Sequence, residues 1–384
     1  MQNRVLFSAL VAGAFALATT QTGFARTLAL HKPGLGVVLT SKDGQIFGFD
    51  IDRFGNGGVL ATQHGVETFD QDTGEIIKSF GKSLGSSGDY VVNGIAASGV
   101  ALIEQERVPD GELFPKRQYK VMNPVTANKF TGKWTPPSKG IIMQAMSDDQ
   151  ASQVTSLFAL TSLKDGEVPT IFVSDIAANT FTNVITLDDR FEGGTLPQFA
   201  QYTKGNMAVI ALSPDGGAVG GVAPMNFLID LSTGAMTGFS GYNNGFFHAG
   251  SVNGLAVDPK TGVAATTTEL NAEVEFYNLK NKTRIAFAQL PCSGATDQLL
   301  SGTSITNDPV NKLFLVTEPN YCDGSEGSAI VVYDEAGNFV EAITGFNVPN
   351  DVALSAPPRI NPSKRMGWVF GGPKGASQLQ QFFY

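Results

Sequence analysis

One local pattern recurs six times along this chain, and nothing else in the sequence limits the fold as strongly. Each copy is a β-rich run, an Asp or Asn, a short turn and a second β-rich run: VETFDQDTGEIIKSF, YKVMNPVTANKFTGKW, IFVSDIAANTFTNVITL, FLIDLSTGAMTGFSG, EFYNLKNKTRIAFAQL and VVYDEAGNFVEAITGF. The marker residues are Asp70, Asn123, Asp175, Asp230, Asn278 and Asp334, with spacings of 53, 52, 55, 48 and 56. Asp and Asn suit such turns because their side chains bond the backbone two residues on. Upstream of each hairpin lies another strand pair. It is clearest around Asp258-Pro259 in VNGLAVDPKTGVAATTT and around Asp308-Pro309 in SITNDPVNKLFLVTE. A four-stranded unit repeated at a fixed period is a β-propeller blade.

The blade number follows from the end of the chain. After the sixth hairpin come VPNDVALS, RMGWVFGG and QLQQFFY, which make three strands rather than four. An unpaired sheet edge is costly, so a strand from elsewhere must complete the unit. The unassigned GVVLTS at 36–41 is predicted to pair with QLQQFFY. The expected fold is all-β: a single domain over 26–384, a seven-bladed β-propeller of four-stranded antiparallel blades, its ring closed by an N-terminal strand in the last blade. Composition agrees, since 44 glycines and only 16% charged residues suit short strands and many turns.

Residues 1–25 read as a secretory signal peptide, with Arg4, a short apolar run and Gly23 and Ala25 before the cut. The mature chain is therefore expected in the periplasm or secreted, without membrane insertion. Two cysteines in an exported chain predict a disulfide between Cys292 and Cys322. Closing that loop of 31 residues would stabilise by about 3–4 kcal/mol in the chain-entropy view. The net charge of −9 argues against nucleic acid as a partner.

Three phrases share an asparagine in third place: VVNGIAAS at 91–98, SVNGLAVD at 251–258 and VPNDVALS at 348–355. They are expected to be the innermost strands of blades 2, 5 and 7, with Asn93, Asn253 and Asn350 at equivalent early positions. Thr303, Gln198 and Gln144 stand at the corresponding places of blades 6, 4 and 3. Such residues would surround the mouth of the central channel, where amides and hydroxyls bind water, a cation or a polar ligand. Asp351 adds a carboxylate. The simpler reading is structural: an asparagine that fits a tight strand start.

The phrases VNGLAVDPKTG and VPNDVALS, with the hairpins IDLSTG and YDEAGN, resemble propellers of the NHL and YVTN type over most of 45–384. A more distant likeness is to propellers of the gluconolactonase and paraoxonase type. That likeness implies a catalytic calcium held by Asn93, Asn253, Asn350 and Asp351. The first inner strand, QIFGFDID, departs from it: it carries Asp50 and Asp52 and no glutamate.

Other candidates are weaker. GKSLG at 81–85 matches a serine-nucleophile pattern, but it lies in a Gly/Ser loop rather than at a strand-to-helix elbow. DIDRFGNGG at 50–58 has Phe54 where a calcium loop needs an oxygen, and reads as a turn. Asp323 and Glu326 share a loop. His31, His64 and His248 are scattered, which excludes a multi-histidine metal site. His248 stands among Tyr242, Phe246 and Phe247 just before Asn253, on the rim that also carries the loops 104–118 and 161–169. The expected function is an exported binding module for a protein, peptide or small polar ligand on that rim, with His248, Thr303, Asn93, Asn253, Asn350 and Asp351 as candidate contacts. The alternative is a calcium-dependent lactonase-like or esterase-like hydrolase.

Overall fold

The computed structural model describes residues 34–41, 44–52, 55–81, 89–96, 98–107, 116–127, 129–137, 141–148, 155–163, 166–187, 198–202, 206–211, 226–239, 252–268, 273–289, 303–319, 328–355, 365–372 and 377–384. The signal segment, the GKSLG loop beyond Gly81, both cysteines, His31, His248, Asp323, Glu326 and the aromatics at 242, 246 and 247 lie outside the described residues. The disulfide expectation therefore lies outside them too.

Among the described residues, twenty-eight strands form seven four-stranded antiparallel sheets, and there is no helix. Blade 1 is β2 (Ile46–Ile51), β3 (Gly57–Thr62), β4 (Gly65–Asp70) and β5 (Ile76–Phe80). Blade 2 is β6 (Tyr90–Ile95), β7 (Ala101–Arg107), β8 (Lys116–Met122) and β9 (Gly132–Trp134). Blades 3, 4, 5 and 6 repeat the order from β10 (Ile141–Asp148), β14 (Gln198–Tyr202), β18 (Val252–Val257) and β22 (Ser304–Asp308). Blade 7 is β26 (Pro349–Leu354), β27 (Met366–Gly371), β28 (Gln378–Phe383) and β1 (Gly34–Leu39). The first strand of each blade borders the first strand of the next, and β26 in turn touches β2. The chain is a seven-bladed β-propeller with these strands innermost.

The N-terminal strand does complete the last sheet. β1 pairs antiparallel with β28, with Gly34 opposite Phe383 and Leu39 opposite Leu379. It begins two residues before the expected GVVLTS and bulges between Leu35 and Val38. The Gln380 side chain closes that bulge by donating to Gly36 O and Val37 O at 3.0 and 3.3 Å.

The middle strands are covered on both faces by neighbouring blades, so they lose the usual polar alternation. Every residue of β23 (Leu313–Glu318) is buried, and so is all of β24 (Ala329–Asp334) except its last residue. The core lies in layers between blades. Phe276 of blade 5 meets Phe314 of blade 6 edge-on at 5.6 Å. Phe69 of blade 1 meets Trp368 of blade 7 at 5.3 Å. The marker residues sit where the sequence places them, at the turns of the outer hairpins. Asp70 Oδ1 accepts from the N–H groups of Asp72 and Thr73 at 2.9 and 2.8 Å, and Asn123 Oδ1 does the same for Val125 and Thr126. These turns define a lower rim. Innermost strands begin at the opposite, upper rim.

Candidate functional site

The recurring asparagine marks a backbone irregularity. In β6, β18 and β26 the ladder skips one residue, and the skipped residue is Asn93, Asn253 or Asn350. β2 and β10 skip Phe47 and Gln144 in the same way. A β-bulge inserts one unpaired residue, bends the strand and increases its twist. Here it occurs in five innermost strands, close to the upper rim. The following glycine has its own reason. Gly94 holds φ at 149°, and a Cβ on Gly254 would lie 3.0 Å from the Ile305 backbone nitrogen of blade 6. β14 and β22 run without a bulge, so Gln198 starts its strand in straight register and Thr303 just precedes one.

The equivalent positions do not share one environment. Asn93 is half-buried beside Glu104, and its Nδ2 makes no well-formed hydrogen bond. Burial raises the Glu104 carboxyl; Arg117, in an ion pair at 2.7 Å, pulls it back, and Asn93 does so to a lesser degree. Asn350 is exposed, whereas blade 1 presents an exposed phenyl ring, Phe47, at the matching bulge. Asn253 lies in β18, and its side chain is outside the described set.

Among the described residues a polar arc spans blades 6, 7 and 1. Thr303 Oγ1 lies 2.8 Å from Thr317 Oγ1 and donates to Pro349 O at 3.2 Å, tying blade 6 to blade 7. Ser304 Oγ donates to Asp351 Oδ1 at 2.8 Å, and the Val352 N–H donates to the same oxygen at 2.8 Å. Asp50 is held in like fashion: Oδ1 accepts from Ile51 N at 2.8 Å and Oδ2 from Ile95 N of blade 2 at 2.7 Å. Asp351 stays accessible to solvent, yet protein surrounds it on most sides. That loss of solvation raises its carboxyl to about 6. The Ser304 and Val352 bonds oppose the rise, and the negative charge of Asp50 adds to it. Near pH 6, Asp351 is thus both a hydrogen-bond donor and an acceptor across the population.

Asp50 and Ser304 were not among the site residues expected from the sequence. Only the adjacency of blades 7 and 1 brings Asp50 to Asp351. The available signal was the position of Asp50 on a first innermost strand, once the last blade is known to abut the first. Among the described residues no three of His, Cys, Asp and Glu gather as a metal-binding group. Two carboxylates with amides form a thin donor set for calcium, which takes six to eight oxygens. No protein-family model matches this chain, and no curated protein matches it in sequence.

Proposed function

We propose that this protein is an exported propeller that binds a protein segment, peptide or small polar ligand at its upper rim, around the channel mouth. The observation that carries the reading is the arc of Thr303, Ser304, Asn350, Asp351 and Asp50. It gathers polar groups from three blades, and Asn350 and Asp351 remain exposed while neighbouring backbone and hydroxyl groups hold Asp351 in place. Held groups lose little freedom on binding, which favours recognition. The likeness to NHL and YVTN-type propellers supports the same role, since those motifs specify a scaffold. The signal-like first 25 residues support export.

A second reading, a calcium-dependent hydrolase related to the gluconolactonase and paraoxonase type, has one observation on its side. Asp50 and Asp351 repel each other, and a divalent cation would relieve that repulsion.

Thermal melting separates the two. The protein is melted with a panel of short peptides, amino acids and sugars, and in parallel with calcium and with a chelator. The binding reading expects at least one panel compound to raise the melting temperature saturably, and Asn350→Ala with Asp351→Ala to remove the shift. A saturable rise with calcium, joined to aryl-ester hydrolysis that chelator abolishes, overturns it in favour of the hydrolase.

A further inference from the structure

Arg365 carries a full charge where the fold gives it little to pair with. It directly precedes β27, at the lower rim of blade 7, and is 2% exposed. Its carbonyl accepts from the Tyr384 N–H at 3.2 Å, and its guanidinium carbon lies 5.6 Å from the centre of the Tyr384 ring. Nε and Nη1 are buried, and neither has a hydrogen-bond partner. Arg365 makes no ion pair with any described residue.

Its surroundings are mostly apolar. Tyr384 belongs to the layer between blades 6 and 7 that also holds Leu313, Val332, Val369 and Phe382. Two acids approach this layer, and neither bonds Arg365. Asp308 is already committed. Its Oδ2 accepts from Tyr384 OH and Asn311 Nδ2 at 3.1 and 2.6 Å, and its Oδ1 from the Val310 and Asn311 N–H groups at 2.9 and 3.1 Å. Glu341 lies on β25 (Phe339–Thr344) of blade 6, opposite Val332, and directly opposed residues share a face. Burial raises the Glu341 carboxyl, and the charge of Arg365 pulls it back. Yet Glu341 Oε1 is itself a buried atom without a partner.

A buried lysine or histidine escapes such a position by shedding its proton, but a guanidinium keeps its charge. An uncompensated charge in the interior is strongly destabilising. The face of the Tyr384 ring offers only a partial negative charge. A water molecule accepts from one N–H and still leaves the charge unbalanced. Orphaned buried polar groups in a native fold call for a water or an ion, and here the full charge selects an anion. We propose that a small inorganic anion of chloride size binds between blades 6 and 7 on the unpartnered N–H groups of Arg365. The small exposure of Arg365 admits such an ion and excludes an organic one. The ion balances the guanidinium and staples the ring-closing blade to its neighbour, while the charge of Glu341 opposes it. The site lies at the rim opposite the channel mouth and does not depend on what binds there.

The test melts the mature protein in sodium chloride and in sodium gluconate at equal ionic strength. Chloride should raise the melting temperature saturably, as a ligand of the folded state does, and gluconate should not. Arg365→Gln should lose the difference between the two salts. Where that variant does not fold, Glu341→Gln carries the test. It keeps Arg365, removes the opposing charge, and should lower the half-saturating chloride concentration at least ~tenfold. Crystals soaked in sodium bromide should show an anomalous peak within hydrogen-bond reach of Arg365 Nε or Nη1. Equal melting in the two salts, a chloride response that persists in Arg365→Gln, or a Glu341→Gln variant that needs as much chloride as the parent overturns the proposal. So does a bromide map in which only water stands between Arg365 and Glu341.

Discussion

At the scale of single residues, Asp351 and Gln71 show how much a polar side chain can decide. The Asp351 carboxyl titrates near 6 in the folded protein, above its ordinary value of 3.8. An acid whose folded value is raised holds its proton more tightly when folded. Its contribution to stability is therefore greatest at low pH and is lost as pH climbs from about 4 to about 6. Asp351→Asn removes that loss. Melting curves of the two proteins should coincide near pH 4, and the Asn variant should melt higher by a margin that levels off above about pH 6. A margin that does not change with pH would contradict the assignment. Gln71 is fully buried between blades 1 and 7. Its Nε2 donates to the carbonyls of Asp52, Gly55 and Gly57 at 2.8, 2.9 and 3.3 Å, and its Oε1 accepts from Ser355 Oγ at 2.9 Å. Gln71→Leu leaves those groups without this donor and acceptor, and should lower the unfolding free energy by about 2–4 kcal/mol in denaturant titration. In sequence, Gln71 is one polar residue in a turn, and nothing local separates it from Asp72.

At the scale of elements, the repeat is carried by backbone devices more than by recurring side chains. The Asp or Asn turns close the outer hairpins, and bulges recur in two places. One is the innermost strand, at Phe47, Asn93, Gln144, Asn253 and Asn350. The other is the outermost strand of blades 1, 3, 5 and 6, where the ladder skips Ile77, Thr182, Ile285 and Val340. Spacing alone exposed the turns, because their residue types follow from turn geometry. The bulges were not legible as such. Asn93, Asn253 and Asn350 read as a ligand ring or a tight strand start, since a bulge is defined by the partner strand and not by its own residue. Glycine tests the turns directly. Gly74 holds φ at 72°, and a Cβ there would lie 2.8 Å from Val37 Cγ2 and 3.1 Å from the Trp368 ring. Gly99 holds φ at 76°, but its nearest neighbour would be Asp52 Oδ2 at 3.4 Å. Gly99→Ala should cost about 1–2 kcal/mol from backbone strain alone. Gly74→Ala should cost more, because the added methyl also wedges blade 1 away from blade 7. Equal losses in chemical denaturation would show that the blade contact is slack.

At the scale of the whole molecule, the seam between blades 7 and 1 decides whether seven sheets act as one unit. Trp368 Nε1 and Gln381 Nε2 both donate to Gln71 O at 3.0 Å, and Ser377 Oγ accepts from Ile46 N at 3.0 Å. On the far side of blade 7, Tyr384 OH donates to Asp308 Oδ2 of blade 6 at 3.1 Å. Deleting residues 26–42 removes β1, opens the edge of β28 and exposes the contacts of buried Leu39. The ladder bonds and that side chain together should amount to roughly 5 kcal/mol. Calorimetry should show one cooperative transition moved well down in temperature, and an unchanged transition would mean that β1 is dispensable.

The sequence by itself determined the all-β class, the period, the blade count and the pairing of the first strand with the last. Each of these rests on local turn chemistry and on the cost of an open edge, and both are written in adjacent residues. Only the tertiary structure decided that Asn93 faces Glu104, that Gln71 and Gln381 are buried seam residues, and that Asp50 stands against Asp351. The pairing of those two carboxylates comes from the ring, which sets the first blade beside the last. No spacing along the chain records which distant groups such an arrangement will bring within reach of each other's charge.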